Sequence, residues 1–290
     1  LCNFTTNNMA IAYKEAFETT LQERLSENNK WKEVCKVTYT NSYQMHNPYL
    51  TDSTVYTGTR GTGYTSAAVE TTDETVNIST YKGSAQHIDR ADLAQKSFSD
   101  FMEIADNMGT VLNEAIETAM LAEHAQWTNF DNASIGGSAG NITVSESNID
   151  DIISGVIREI REANGESLLE RNGGFIIWRA ADFEKVQKYA AAQGFSVADD
   201  VLKNGIKQGF RYGGLEHYST NKNASGHLFA GVKKAFHVGI CKSTYGLMTE
   251  VLNPVVSGAQ ISGIGLESRV DYGFKAWNKM VPVLFDVLVA

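Results

Sequence analysis

The strongest periodic signal lies between residues 89 and 124. Apolar residues recur at Phe101, Ile104, Ala105, Met108, Val111, Leu112, Ala115, Ile116, Ala119 and Met120. That is the i, i+3, i+4, i+7 spacing of one buried helical stripe. Asp89 suits the N-cap, and Asp92 suits the first turn, where the positive end of the helix dipole favours a carboxylate. The pattern predicts a helix of about 33 residues, roughly 50 Å long at 1.5 Å per residue. Helices average about 11–12 residues, so this length needs a structural reason. Gly109 interrupts the middle. It weakens the helix by about 1 kcal/mol relative to Ala and is a candidate bend point.

Weaker patterns flank this helix. Residues 8–28 place Ala12, Phe17, Leu21 and Leu25 on one helical side, and residues 31–43 carry Val34, Val37 and Tyr39 at loose strand spacing. No compact unit emerges from residues 1–50, which predicts an extended arm with one short helix. After residue 147, Ile149, Ile152, Ile153, Val156, Ile157 and Ile160 form a second helical stripe, with Ser147 as its cap and Gly165 at the C′ position. Residues 174–178 read as a buried strand, and residues 179–193 as a helix with Phe183, Val186 and Tyr189 inward. Strands are predicted over 214–218, 227–232, 235–240 and the apolar run 280–290, which Asp286 interrupts. The alternation of helices and strands indicates an α+β class.

Residues 51–80 are the most biased stretch: sixteen of thirty are Thr, Ser or Gly, and ten are Thr. β-branched Thr and interior Gly disfavour a helix and suit a long exposed β-hairpin. Gly58, Gly61 and Gly63 mark its tip, where positive φ is needed. The returning strand alternates Val76, Ile78 and Thr80 against Asn77 and Ser79.

Composition narrows the function classes. The chain has 290 residues, 42% hydrophobic and 20% charged, which is a globular balance. With 25 Lys+Arg against 34 Asp+Glu, the net charge of -9 argues against a dedicated nucleic-acid-binding surface. No run reaches 18 apolar residues, so no membrane helix is expected. Cys2, Cys35 and Cys241 are far apart and odd in number, which disfavours a disulfide framework or a zinc cluster and suits reduced, intracellular assembly. Residues 1–20 lack the layout of a secretory signal. The Leu1 start points to a processed or incomplete N-terminus.

Catalytic motifs are weak. Residues 136–140 match G-x-S-x-G around Ser138, but a nucleophile elbow needs a hydrophobic strand before it and a helix after it, and neither is predicted. Residues 79–82 match S-x-x-K on a predicted strand instead of a helix start. Among six histidines, none has metal-ligand spacing, although His217 and His227 flank a turn. The adjacent pairs Asp150–Asp151 and Asp199–Asp200 point apart on a helix, so neither makes an acid/base dyad.

The order of parts is more telling. An arm, a long Thr/Gly-rich hairpin and one long helix carrying QHIDRADLAQ (86–95) and VLNEAIETAMLA (111–122) precede a mixed domain ending in apolar strands. This layout resembles the major capsid proteins of tailed bacteriophages, with their Hong Kong 97-like fold. The resemblance implies an α+β capsid fold: an N-terminal arm over 1–50, an extended hairpin or E-loop over 51–85, a P-domain with its spine helix over 86–145 and 250–290, and an A-domain over 146–249. It implies inter-subunit contacts by the hairpin residues Tyr56, Thr57, Arg60, Thr62, Tyr64, Val69 and Thr71, and a spine-helix bend at Gly109. It implies hexamers and pentamers of one chain in an icosahedral shell, with scaffolding, portal and decoration proteins as partners. Double-stranded DNA is enclosed without sequence-specific binding, assembly is in the host cytoplasm, and no catalytic residue, cofactor or metal is implied. Some relatives crosslink an E-loop lysine, but Lys82 lies near the hairpin base and does not support that chemistry here. The rival readings are an encapsulin-like nanocompartment shell, which shares the fold, and a soluble α/β hydrolase using Ser138.

Overall fold

A computed structural model describes residues 3–26, 30–50, 55–61, 63, 68–93, 98–192, 209–252, 255–256, 259–260 and 262–290. The N-terminal part forms α1 (Asn3–Ser26), α2 (Lys30–Val34), β1 (Lys36–Thr40), β2 (Gln44–Leu50), β3 (Thr71–Asn77) and β4 (Thr80–Asp89). The middle forms α3 (Arg90–Leu93), α4 (Phe98–Leu121), β5 (Thr128–Phe130), α5 (Ile149–Glu162), α6 (Glu166–Asn172), β6 (Gly174–Arg179) and α7 (Ala180–Ala192). The C-terminal part forms the strands β7 (Gly209–Tyr212), β8 (Leu215–Thr220), β9 (His227–Val232), β10 (Phe236–Cys241), β11 (Met248–Leu252), β12 (Val255–Val256), β13 (Ala259–Gln260), β14 (Gly263–Ala276) and β15 (Leu284–Leu288), with a short 3₁₀ turn at Val281–Val283.

Two sheets organise these elements. In the first, the 14-residue β14 is central. Antiparallel β4 runs along one side of it, from Gly263 opposite Asp89 to Tyr272 opposite Thr80. Strands β10 and β11 share its other side, and β1 joins β10 in parallel. Helix α4 packs on β4 and β14, and α1 packs on α4. The second sheet has six strands in the order β5-β15-β9-β6-β8-β7. Helices α5 and α6 pack on β9, and α7 packs on β6 and β8. One apolar core joins the sheets: Phe229 of β9 meets Phe236 of β10 edge to face at 5.8 Å and stacks on Trp127 at 3.7 Å.

Strand β6 and helix α5 follow their sequence patterns. All of Gly174, Phe175, Ile176, Ile177 and Trp178 are buried, as expected of a strand covered on both faces. The α5 stripe buries Ile149, Ile152, Ile153, Val156 and Ile160. Its caps differ from expectation. Asn148, not Ser147, is the N-cap residue, and its Oδ1 accepts from the Ser145 amide at 2.9 Å. At the other end Asn164 takes the left-handed conformation (φ 57°), while the Gly165 amide reaches back to the Ile160 carbonyl at 2.8 Å. This is a Schellman closure with asparagine at C′. Gly165 is needed for closeness instead: a Cβ there would lie 2.6 Å from Val283.

Three larger expectations are corrected. First, residues 86–89 belong to β4, because Ser84, Gln86 and Ile88 turn inward at every second position, which is strand periodicity. Helix starts after Asp89; α4 has 24 residues, about 36 Å. Residues 94–97, between α3 and α4, lie outside the described residues. Second, the N-terminal 50 residues are no loose arm. Phe17, Leu21 and Leu25 of α1, and Trp31, Val34 and Cys35 after it, are buried in the common core. Asn113 Nδ2 of α4 donates to the Arg24 carbonyl at 2.6 Å, and Arg24 pairs with Asp106. Gly109 lies where α1 crosses α4; a Cβ there would sit 2.7 Å from Arg24 Cβ and 3.3 Å from the Leu21 carbonyl. Third, the expected domain limits cut across both sheets. Strand β10, placed within 146–249, pairs with β14, and β15, placed within 250–290, joins the six-stranded sheet between β5 and β9. Long-range strand pairing of this kind leaves no local sequence signal.

Candidate functional site

The hairpin is the first candidate surface. Strands β2 and β3 pair from Gln44 opposite Asn77 to Leu50 opposite Thr71, so it begins before residue 51. Its root is tied to the body. Val76 and Ile78 are buried, the Ile78 amide donates to the Tyr43 carbonyl at 2.8 Å, and the Glu74 carboxylate accepts from the Asn278 amide at 3.0 Å. Lys279 Nζ lies 5.1 Å from the Tyr49 ring. Further out, His46 and Asp73 pair at 2.6 Å in the open. Of the contact residues expected from sequence, Tyr56, Thr57, Arg60, Val69 and Thr71 are exposed, while Thr62 and Tyr64 lie outside the described residues. Val55 is 96% and Val69 77% exposed. Of the three tip glycines, Gly61 carries the positive φ, at 96°.

Beneath the hairpin root, His237 is hydrogen-bonded through both ring nitrogens. Trp277 Nε1 donates to its Nδ1 at 2.9 Å, and Thr38 Oγ1 lies 2.7 Å from its Nε2. Burial, with a smaller contribution from Lys36, pulls this imidazole down to about 4, so it stays neutral and serves packing.

A third feature lies where the turn after α4 meets the six-stranded sheet. Residues Ala122–Gln126 form a 3₁₀ turn, which places His124 over β9. The His124 and His227 rings stack with centroids 3.7 Å apart and planes 19° from parallel. Trp127 stacks on Phe229 in the same way, because His227 and Phe229 are two apart on one strand face. Asp286 lies opposite Phe229 in the antiparallel register, on that same face. Its carboxylate sits 2.8 and 3.0 Å from His227 Nδ1 and 3.6 Å from His124 Nδ1. Asp286 is only 3% exposed, and burial raises its pKa while the hydrogen bond from His227 and the two imidazoles oppose that shift. No sequence spacing joins these three residues. The one legible signal was Asp286 itself, a carboxylate inside an apolar strand, which needs a partner when buried.

The weak catalytic motifs resolve as structure. Ser138 lies exposed in a loop closed by Asp131, whose carboxylate accepts from the amides of Ala133, Ser134 and Gly140. The strand-then-helix setting of a nucleophile elbow is not present around it. Ser79 and Lys82 lie at the start of a strand and not at a helix opening. His217 does not meet His227; its Nδ1 accepts from buried Trp178 Nε1 at 2.9 Å. Asp199 and Asp200 lie outside the described residues. A polar cleft beside α4 is lined by Lys30, Asn113, Glu114, Glu117, Thr220 and Lys222. Its charges are matched internally: Thr220 donates to Glu117 at 3.0 Å, and Lys222 pairs with Glu114 at 3.3 Å.

Comparison with solved structures identifies the architecture. The capsid of cyanophage P-SCSP1u superposes with a TM-score of 0.59 at 13% identity, covering 91% of this chain and 89% of that one. The Hong Kong 97-like fold is therefore the fold of this chain. The mature capsid of bacteriophage PhiM1 matches at 0.58 and 12% identity, over 91% and 88% of the two chains. A virus-like particle from Pyrococcus furiosus matches at 0.56 and 12% identity, over 95% and 99%. No protein-family profile matches the sequence, and no curated protein does. In the Hong Kong 97-like frame, α4 is the spine helix and β2–β3 the extended hairpin. Among the described residues, no helix is long and apolar enough to cross a membrane.

Proposed function

We propose that this chain is a major capsid protein, which assembles into the icosahedral head of a tailed bacteriophage around its double-stranded DNA. The observation that carries this reading is end-to-end likeness to capsid subunits combined with a hairpin that its own chain leaves uncovered. Leu50, Val55, Tyr56 and Val69 are all more than half exposed on that hairpin. A two-stranded ribbon is marginal in water unless something packs on it. In a shell, Tyr56, Thr57, Arg60, Thr62, Tyr64, Val69 and Thr71 would lie on the adjacent subunit, and repeated heterologous contacts would close hexamers and pentamers into a shell. Gly109 would let the spine helix bend before maturation. The chain acts by association, without cofactor or catalysis, together with scaffolding, portal and decoration proteins in the host cytoplasm. A net charge of -9 suits a wall that holds DNA without gripping it.

The second reading, an encapsulin-like compartment around protein cargo, has less support: beside several phage capsids, one solved neighbour is a virus-like particle from Pyrococcus furiosus. Negative-stain imaging of the concentrated protein, followed by analysis of particle contents, tests both. Uniform closed shells support the common architecture, and small monodisperse particles overturn it. Double-stranded DNA inside particles from infected cells selects the phage head; a packaged enzyme selects the compartment.

A further inference from the structure

We propose that the cavity beneath the hairpin root binds a small phosphate dianion, either inorganic phosphate or the phosphate of a small monoester. The cavity measures about 260 Å³. Lys36, Lys234 and Lys279 converge on it, and Glu74 is the one carboxylate in its lining. Its inner wall includes His237 and Trp277, each 8% exposed. His237 is uncharged, so three ammonium groups against one carboxylate leave an excess of two positive charges. A phosphate monoester carries close to two negative charges at neutral pH. Lysine meets phosphate as a point charge, without the planar fork that arginine brings.

The imbalance is specific to this place. In a chain of net charge -9, three other clefts balance their charges. Lys30 and Lys222 face Glu114 and Glu117 beside α4, while Arg269 meets Asp271 in one further cleft and Glu267 in another. Glu74 is also committed elsewhere, since both of its oxygens accept from the Asn278 amide. Among the described residues, no carboxylate pairs with Lys36 or Lys234.

Lys234 carries a second sign of construction. It sits in the turn between β9 and β10 with φ at 63°, a left-handed conformation that penalises any residue with a Cβ. Its amide donates to the Val34 carbonyl at 2.6 Å, which ties that turn to the segment before β1. A strained residue thus supplies one of the converging charges, and such strain gathers at binding sites. Lys36 lies opposite His237 in the β1–β10 register. Asn47 and Tyr49 reach the cavity from the half-buried face of β2, and Lys279 stands over the Tyr49 ring. A bound anion would therefore tie the hairpin root to β1 and to the β9–β10 turn. The site lies within one chain, so it does not depend on shell formation.

The test is calorimetric titration of the full chain with inorganic phosphate and with glycerol 3-phosphate, at ionic strength held constant with chloride. One anion per chain is expected, and the tighter of the two names the source. Lys234→Gly should weaken binding about 10-fold or more, the usual worth of one charge-assisted contact. Its anion-free Tm should hold or rise, because glycine tolerates the left-handed turn. Lys36→Gln should weaken binding by a similar factor, and Lys222→Gln, in the balanced cleft, should leave it within about twofold. No saturable uptake of either anion would overturn the site. So would binding that survives Lys234→Gly, or an equal loss in Lys222→Gln, which would reduce the effect to net charge. Tighter binding of a hexaglutamate peptide than of either phosphate would overturn the phosphate assignment in favour of an acidic protein segment.

Discussion

The six-stranded sheet and the hairpin are both β-structure, yet they solve burial in opposite ways. Strands β6 and β9 bury nearly every side chain, since helices or the other sheet cover both faces. Strand β2 alternates exposed and half-buried positions, and β3 buries side chains only at Glu74 and Val76, near its root. The sheet is completed by its own chain; the hairpin is completed only at its base. Stability should therefore be concentrated in the sheet, and association in the hairpin. Substitutions at the two places should affect different measurements.

The largest loss of stability is expected at Phe229→Ala. This ring is fully buried, stacked on Trp127 at 3.7 Å, and edge-on to Phe175 at 4.8 Å and Phe236 at 5.8 Å. Removing it strips contacts from both sheets and leaves a cavity, for which about 3–5 kcal/mol is usual. Denaturant unfolding of the isolated subunit checks this. A loss below about 1 kcal/mol would mean the two sheets do not share one core.

An intermediate effect is expected at Gly109→Ala, where two terms oppose each other. Helix propensity alone favours Ala by about 1 kcal/mol. The new methyl would, however, stand 2.7 Å from Arg24 Cβ and 3.3 Å from a backbone carbonyl. Neither neighbour is the free end of a flexible side chain, so α1 must move, and overpacking of this kind costs about 1–3 kcal/mol. The net expectation is a loss of about 1 kcal/mol in thermal or chemical unfolding. A gain would show that α1 lies off the spine helix in solution, and would restore the looser arm expected from sequence.

These two positions also show what sequence can reveal. The apolar stripe of α5 and the unbroken apolar run of β6 were readable because burial imposes a local period or its absence. The long hairpin was readable from its Thr and Gly content, although its strands begin at Gln44, where composition is ordinary. Gly109 was visible as an anomaly, but its neighbour, α1, lies more than 80 residues earlier, as the Arg24–Asp106 pair shows. The parallel β1–β10 pairing and the capture of β15 by the second sheet depend on distant partners. The His124–His227–Asp286 cluster is the extreme case: the strand register brings His227 beside Asp286, and the turn after α4 adds His124.

The smallest effect on stability, with the largest on assembly, is expected at the hairpin. Val55 and Val69 are 96% and 77% exposed. Replacing both with Ser removes little buried surface within the subunit, so the unfolding midpoint should hold within about 0.5 kcal/mol. If these side chains pack against the adjacent subunit, each truncation falls in an interface repeated around the whole shell. Losses of even 1–2 kcal/mol per contact then multiply through a closed assembly. Particle yield, measured by sedimentation and negative stain, should fall sharply while circular dichroism and the unfolding midpoint stay unchanged. Normal shells from the double variant would locate assembly elsewhere, with exposed Val251 and Leu252 of β11 the next surface to change. Loss of both shells and subunit stability would instead mean that the hairpin folds back on its own body, and the division of labour between hairpin and sheet would fail.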